Sequence, residues 1–520
     1  MASSKSPSGY FGVLRILDME LIGNMVNGFG VALQPINLLF CFAGCVIGTL
    51  VGVLPGVGPT AAISLLLPMT FRLNPISGII MLAGIYYGAM YGGSTTSILV
   101  NIPGEAASVV TCLDGYQMAR HGRAGPALGM SAIGSFIAGT FSVIALMVVA
   151  PPLAEIALKF GPPEYFSLMI LGLTLLSFLS SGSIGKALLM AGFGIFLGTI
   201  GLDNLTGVPR FTFGSATLID GPGLVPVVMG LFGIGEILAN LEQPFKREIF
   251  ETRIGHLLPS LRDWIECKWA LVRGSVIGFF LGILPGGGAV IASFASYAIE
   301  KRFSKTPEKF GTGMIAGVAG PESANNSAAG GAFIPMLTLG IPANPVMAIL
   351  LGALIIHGIQ PGPFLIKEQP QLFWGVVTSM YIGNIMLLVL NLPLIGLWVR
   401  ALRIPYSILF PLILLFCLIG SYSLKNNVGD VYVMIIFGIL GYLMRKYKYD
   451  TPPLVLAFVL GPIMEASLRR SLLLSNGSPL IFFQRPISVG LLLITFFLLA
   501  SSNIPALRRK REKIVVEVKD

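Results

Sequence analysis

The sequence predicts an all-α polytopic membrane protein with about 11–12 transmembrane helices, additional broken or re-entrant helices, and two inverted-topology repeats. Three observations lead to this class. Of the 520 residues, 54% are hydrophobic and only 11% are charged, too few charges to cover the surface of a water-soluble protein of this length. Apolar segments long enough to cross a bilayer recur along the chain. Two stretches in different halves have nearly the same sequence.

These two stretches are rich in glycine. Gly44 to Ala62 reads GCVIGTLVGVLPGVGPTAA, and Gly274 to Ala292 reads GSVIGFFLGILPGGGAVIA. Each is an apolar helix that runs into a proline and several glycines. Hydrocarbon tolerates such a break only where protein or a water-filled cavity satisfies the freed backbone groups. Paired breaks in the two halves of a chain are typical of secondary transporters.

Lysine and arginine residues predict the orientation, because short cytoplasmic loops are enriched in them. The basic segments expected on the cytoplasmic side are 246–273, 301–309, 400–403, 445–448 and the tail after Ala506. When Pro103 is aligned with Pro342 and Pro163 with Pro405, most basic loops of one half match poorly charged loops of the other. This alternation predicts that the halves have opposite orientations, with residues 203–221 outside.

The predicted organisation has six parts. They are an N-terminal interfacial segment (1–33), a first transmembrane repeat (34–221), a connecting helix and basic cytoplasmic loop (222–268), a second transmembrane repeat (269–448), a C-terminal membrane hairpin (449–505) and a basic cytoplasmic tail (506–520). Arg469, Arg470 and Arg485 fall on the predicted outer side, against the positive-inside rule. A re-entrant or interfacial course for 466–486 is therefore the alternative.

Other protein classes fit the sequence poorly. The net charge of +10 comes from residues in short loops between apolar segments, so no nucleic-acid partner is expected. The five cysteines lie mostly in apolar segments, and the three histidines are far apart. No catalytic motif of the Ser/His/Asp, HExxH or CxxC type is present, and GVLPGVGPT lacks the lysine of a phosphate-binding loop. No enzyme activity, no cofactor and no metal other than Na⁺ is expected.

Four polar or broken segments, two in each half, carry the candidate site. A helix that restarts after a glycine-rich break presents unpaired N–H groups and a positive dipole end to an anion. Hydroxyl and amide groups at membrane depth are costly without partners, so clusters of them indicate a binding cavity. The candidate substrate-binding residues are Pro55, Gly56, Gly58, Thr60, Ser94, Thr95, Thr96, Ser97, Asn101, Pro285, Gly286, Gly287, Gly288, Ser323, Asn325, Asn326 and Thr338.

Each of these residues could instead have a purely structural role. A single glycine is more often a packing position, and a single Ser or Thr more often bonds to its own helix. Two symmetric sets, each with an Asn and a Pro beside glycines, favour a site. The nearest acidic residues, Glu105 and Glu322, are interpreted either as caps or loop carboxylates, or as cation-coupling residues together with Asn101 and Asn326.

None of these segments contains Lys or Arg. A bound anion would then need helix ends, amides and hydroxyls, with a co-bound cation to offset its charge, because an uncompensated buried carboxylate costs several kcal/mol. Coupling to Na⁺ or H⁺ is therefore expected. Asn side chains and the carbonyls of broken helices are oxygen ligands suited to a hard cation.

Long motifs in these segments resemble a known family. GTLVGVLPGVGPTAAISLLLPMTF, LAGIYYGAMYGGSTTSILVNIPGEAASVV and GPESANNSAAGGAFIPMLTLGIPANP are similar to the large permease subunit of the tripartite tricarboxylate transporters (TctA type). The resemblance extends over about residues 30–505 and is highly specific because the motifs are long.

The resemblance implies a multi-pass carrier of the bacterial inner membrane that imports di- and tricarboxylates such as citrate. It also implies a small membrane subunit and a periplasmic solute-binding protein as partners, within membrane lipid. A homodimer is left open. The predicted mechanism is cation symport by alternating access, with a cytoplasmic C-terminus. The alternative classes are a gradient-independent anion channel and, less favoured, an intramembrane enzyme.

Overall fold

A computed structural model describes residues 21–54, 58–179, 183–203, 205–242, 256–286, 288–402, 404 and 406–502. The described chain is almost entirely helical, and eight of its helices are long and apolar enough to cross a membrane. Five shorter apolar helices accompany them. The predicted all-α polytopic class is confirmed. Several of the predicted spans are helices too short to cross a bilayer individually, as expected where the chain is broken.

The first half contains these helices: α1 (Leu21–Ala32), α2 (Pro35–Val53), α3 (Gly58–Thr70), α4 (Pro75–Val100), α5 (Val109–Thr111), α6 (Gln117–Arg120), α7 (Ala124–Ala157), α8 (Pro162–Leu179) and α9 (Ile184–Gly198). A 3₁₀ turn (Ala106–Ser108) precedes α5, and a π-helical turn (Cys112–Tyr116) follows it. A short antiparallel hairpin, β1 (Gly201–Leu202) and β2 (Pro209–Arg210), pairs Gly201 with Arg210. A second 3₁₀ turn (Ala216–Leu218) ends this half.

A connecting helix leads to the second half. It comprises α10 (Leu224–Val228), a π-helical turn (Met229–Ile234) and α11 (Gly235–Glu242). The second half contains α12 (Leu261–Ile283), α13 (Gly288–Phe303), a 3₁₀ turn (Pro307–Lys309), α14 (Ala316–Gly331), α15 (Phe333–Leu339), α16 (Pro345–Ile356), α17 (Leu365–Glu368), α18 (Pro370–Asn391), α19 (Ile395–Ala401), α20 (Tyr406–Lys425), α21 (Val428–Lys446), α22 (Thr451–Leu474), α23 (Ile481–Gln484) and α24 (Pro486–Ser502).

Glycines at every fourth position join the first helix pair of each half. On α2, a Cβ at Gly44, Gly48 or Gly52 would lie 2.3–2.5 Å from a backbone carbonyl oxygen of α4. On α12, Gly274, Gly278 and Gly282 approach α14 in the same way, at 2.2–2.4 Å. Small residues at this spacing let two helix backbones touch, which is the usual basis of close packing in membranes. Close helix packing accounts for these six glycines, none of which is a candidate site residue.

The two halves interlock at the centre of the molecule. Helix α4 packs against α18 of the other half, and α14 packs correspondingly against α7. The short helices that follow the first break of each half, here called half helices, are α3 and α13. Each contacts the other half of the chain: α3 contacts α16, and α13 contacts the 3₁₀ turn that begins at Ala106. The second broken segment of each half, which follows α4 or α14–α15, is therefore covered by the half helix of the other repeat.

One pair of equivalent helices, α9 and α21, runs in opposite directions. Helix α9 lies parallel to α22, because Gly194 lies against Leu454 and Gly198 against Pro462. Helix α21 begins where α9 ends: Asn427, the N-cap of α21, bonds to Thr217 in the segment that follows α9. Since the alignment of Pro163 with Pro405 makes α21 the counterpart of α9, this pair has the inverted relation that the sequence predicts.

Helix α22 ends at the same end of the molecule as residues 201–221. Helix α22 continues through Arg469 and Arg470 to Leu474. The Arg469 guanidinium donates to Asp203 Oδ2 at 2.7 Å and contacts Glu465 Oε1 at 3.1 Å. These pairs neutralise Arg469, one of the three arginines on the predicted outer side, and the re-entrant or interfacial alternative for 466–486 stays a prediction. Helices α22 and α24, predicted as a hairpin, both pack against α8.

The N-terminal helix α1 lies against α18, where Gly28 contacts the Trp374 carbonyl oxygen. The first 20 residues of the predicted interfacial segment, and the tail at 506–520, lie outside the described residues. The boundaries of the six parts into which the sequence divides the chain stay predictions.

Candidate functional site

The first break of each half ends in a glycine with left-handed backbone. Gly58 begins α3 with a φ of 59°, and Gly288 begins α13 with a φ of 51°. A Cβ at either position would meet no atom of the described residues within 4 Å, so backbone conformation rather than crowding calls for glycine. Gly286, with a φ of 81°, donates its N–H to the Ala343 carbonyl at 2.8 Å. Pro55, Gly56 and Gly287 lie outside the described residues, and Pro285 is half-buried.

The second break has the same construction in both halves, and its equivalent residues are 239 positions apart in the sequence. Asn101 ends α4 with a φ of 57°, and its counterpart Gly340 ends α15 with a φ of 69°. A polar N-cap then restarts each chain. Glu105 Oε2 accepts from the Ala107 N–H at 2.6 Å, and Asn344 Oδ1 accepts from the Met347 N–H at 3.0 Å. Such caps satisfy N–H groups that the break leaves free.

Each N-cap also bonds to the other half of the molecule. Asn325 Nδ2 on α14 donates to Glu105 Oε1 at 3.1 Å. Asn344 Nδ2 donates to the hydroxyl oxygen of Tyr86 on α4 at 3.0 Å. Tyr86 and Asn325 are themselves 239 residues apart. The repeats are therefore joined by two symmetry-related side-chain contacts, one neutral and one containing a carboxyl group.

Glu322 occupies the centre of the interface. Its side chain is fully buried on α14, where Ser94 Oγ donates to Oε2 at 2.5 Å and Thr111 Oγ1 donates to Oε1. The hydroxyl of Ser131 on α7 also faces the carboxyl group. One turn further along α14, Asn326 Nδ2 donates to Ser135 Oγ at 2.6 Å. Three helical elements of the first half thus converge on a short stretch of α14.

Neither buried acid has a cationic partner among the described residues. Glu105 is 7% exposed and Glu322 is fully buried, yet every salt bridge found in the described chain involves other carboxylates. In addition, Ser323 Oγ and Asn325 Oδ1 are buried and have no hydrogen-bond partner within the described chain. Unsatisfied polar atoms next to unpaired acids are costly, and they are a common feature of functional sites.

Some predicted residues have ordinary structural contacts. Ser97 and Thr338 donate to carbonyl oxygens of their own helices, at 3.0 and 2.7 Å. Thr96 donates to the Val53 carbonyl at 3.1 Å and so attaches α4 to the end of α2. For these three side chains the back-bonding or packing interpretation accounts for the contacts.

The remaining predicted residues differ in exposure. Thr95 on α4 is buried, with 3% of its surface exposed. Thr60 is half-buried, and its carbonyl oxygen accepts from Ser64 Oγ at 2.6 Å. Asn101 is exposed at the end of α4. The contacts of the described chain thus leave Asn101 apart from the Glu322 cluster.

Sequence reasoning missed five polar partners at this interface. They are Tyr86, Thr111, Ser131, Ser135 and Asn344. The offset of 239 residues could have identified two of them, because it maps Asn325 onto Tyr86 and Glu105 onto Asn344. The other three lie on elements with no motif signal, and only the crossing of the two halves brings them to α14.

The fold and the site define a class of protein: a multi-pass membrane protein with paired broken helices and a buried polar interface. The chain belongs to the tripartite tricarboxylate transporter TctA family, whose model matches residues 38–456. This result confirms the resemblance seen in the motifs, and it supports a component of a tricarboxylate transport system.

Two relatives from Agrobacterium vitis are similar to the chain. One is an uncharacterized 52.8 kDa protein in the TAR-I ttuC' 3'region, 53% identical over 96% of this chain and 99% of the relative. The other is an uncharacterized protein in the TAR-II ttuC' 3'region, 54% identical over 46% of this chain and 99% of the relative. No solved structure matches.

Proposed function

We propose that this chain is the large permease subunit of a binding-protein-dependent secondary transporter that imports di- or tricarboxylates by cation symport. The partners would be a small membrane subunit and a periplasmic solute-binding protein, in a bacterial inner membrane with the C-terminus in the cytoplasm. The observation that carries the proposal is the crossed polar interface, where broken segments of both halves meet around Glu105, Glu322 and Asn325.

The interface supports anion binding without a basic residue. At Gly58 and Gly288, where α3 and α13 begin, no described atom lies within 4 Å of a Cβ position, so the N-terminal N–H groups can approach a carboxylate closely. Helix α13, which begins at Gly288, contacts the 3₁₀ turn that Glu105 caps, and a glutamate there favours a cation or a proton. A carboxylate and its coupling ion would then enter together, each reducing the cost of burying the other.

The interface also supports alternating access. Ser94, Ser323 and Asn325 are at most 1% exposed, so this conformation is closed to a substrate of citrate size. Substrate access then requires α4 and α14 to move relative to α18 and α7. Inverted repeats provide two equivalent ways for such a movement, one opening to each side of the membrane.

Uptake by two site variants tests this function. Asn326→Ala and Gly288→Leu should abolish carboxylate uptake by cells that express the complete tripartite system, while membrane expression stays normal. Normal uptake in both variants would contradict the site. A channel would show uptake that ignores dissipation of the Na⁺ and H⁺ gradients, and an enzyme would turn over the carboxylate in detergent.

A further inference from the structure

The two buried glutamates differ in the chemistry of their partners. Glu105 accepts from the Ala107 N–H and from the Asn325 amide N–H. The backbone N–H can only donate, and the Asn325 amide donates as it is oriented here, with Nδ2 towards Glu105. In this orientation a protonated Glu105 would lose one of the two bonds, so these contacts favour the carboxylate.

The hydrogen-bond partners of Glu322 can either donate or accept. Its two oxygens contact the hydroxyls of Ser94 and Thr111, and the Ser131 hydroxyl faces it as well. A hydroxyl can donate to a carboxylate, and after rotation it can accept from a carboxylic acid. The same three side chains can thus satisfy Glu322 with or without a proton. Once solvent reaches the site, the carboxyl group can therefore gain or lose a proton while keeping these three hydrogen-bond partners.

The surroundings of Glu322 favour a proton over Na⁺ as its ligand. Other titratable groups facing it are Glu105, Tyr91 on α4 and Cys112 on the π-helical turn. A hard cation takes about six oxygen ligands at metal–oxygen distances. Here both carboxylate oxygens are in direct hydrogen-bond contact with hydroxyl groups, which leaves no space for an ion between them.

We propose that Glu322 is the proton carrier of the transport cycle and that Glu105 is a fixed carboxylate that holds Asn325 in place. This inference rests on the proposed transport function and specifies its coupling ion. A proton from the outer solvent forms an O–H bond with a Glu322 oxygen. When the site opens to the cytoplasm, that bond breaks, the proton passes to water and the carboxylate returns. The proton gradient supplies the driving force.

Infrared difference spectroscopy of the full-length protein in lipid tests the protonation step without a substrate. The wild type should show the carbonyl stretch of a buried protonated carboxyl group that appears as pH falls. The band should vanish in Glu322→Gln and persist in Glu105→Gln, the matched control. In Ser94→Ala the band should shift to higher frequency, because the carbonyl loses a hydrogen-bond partner. No band in the wild type, or a band that survives Glu322→Gln, would overturn the proposal.

Proteoliposomes that contain the partner subunits test the coupling, with labelled citrate as the probe and the membrane potential clamped. An inside-alkaline gradient of about one pH unit should give about ten-fold accumulation for one proton per substrate. Glu322→Gln should accumulate none but should still exchange internal for external citrate. Gradient-driven accumulation by Glu322→Gln would overturn the assignment. If the wild type transports no carboxylate under any gradient, the transport function fails, and the infrared result decides on Glu322 separately.

Discussion

Asn325 donates an amide hydrogen to Glu105 at 3.1 Å, across 220 residues of sequence and between the two halves of the chain. Its counterpart joins the equivalent positions, but there the N-cap residue Asn344 donates, to the Tyr86 hydroxyl, and no carboxyl group takes part. The duplicated protein has therefore kept the position of the contact and changed its chemistry in one copy. A charge at one of two equivalent positions makes the otherwise symmetric interface chemically asymmetric.

The Asn325–Glu105 contact predicts the effect of Asn325→Ala. The variant leaves one oxygen of a buried carboxylate without a donor, a penalty of about 1–3 kcal/mol. We expect a large loss of carboxylate uptake, measured as initial rate in cells at equal membrane expression. Asn391→Ala is the matched control, because Asn391 is also buried and, among the described residues, donates within its own helix to Leu387. Equal uptake by the two variants would remove Asn325 from the site.

The packing glycines predict opposite outcomes for two Gly→Ala changes. A Cβ at Gly48 would lie 2.5 Å from the Ile85 carbonyl oxygen, so α2 and α4 must separate at a cost of about 1–3 kcal/mol. A Cβ at Gly192 on α9 meets nothing within 4 Å. Gly48→Ala should lower the thermal melting temperature in detergent, while Gly192→Ala should leave it unchanged or raise it. A stable Gly48→Ala protein would contradict this packing.

The Asp203–Arg469 pair predicts a pH-dependent contribution to stability. The Leu205 N–H, followed by the Arg469 guanidinium, holds the pKa of Asp203 below its usual value. The stabilisation is therefore fully present above the pKa of the unfolded chain, about 3.9, and is lost as pH falls through the lower folded value. Asp203→Asn should lower the melting temperature at neutral pH, and the difference from wild type should shrink in acid. The exposed-residue variant Glu308→Gln should show no such trend.

Opposite orientation of the two halves predicts the accessibility of two loop positions. Phe213 is 89% exposed in the segment after β2, and Lys309 is exposed at the end of the 3₁₀ turn after α13. In a background without native cysteines, a membrane-impermeant maleimide should label Phe213→Cys in intact spheroplasts. It should label Lys309→Cys only after permeabilisation. Labelling of both positions from the same side would refute the predicted topology.

The sequence was sufficient for the all-α membrane class and for the segments that carry the candidate site. Repeated LPGxG breaks and clustered polar residues predicted broken helices, the duplication and the location of Glu105 and Glu322. It could not predict which side chains meet. Thr111 reaches Glu322 across 211 residues, and no local periodicity encodes such a contact. Nor could it predict Arg469 beside Asp203, a pairing that explains an arginine on the predicted outer side.

Uphill transport by the purified tripartite complex in liposomes tests cation symport directly. We expect labelled carboxylate to accumulate inside above its external concentration while an ion gradient is maintained, and the accumulation to disappear when the gradient is collapsed. Equilibration to the external concentration regardless of any gradient would contradict it and would identify a channel instead.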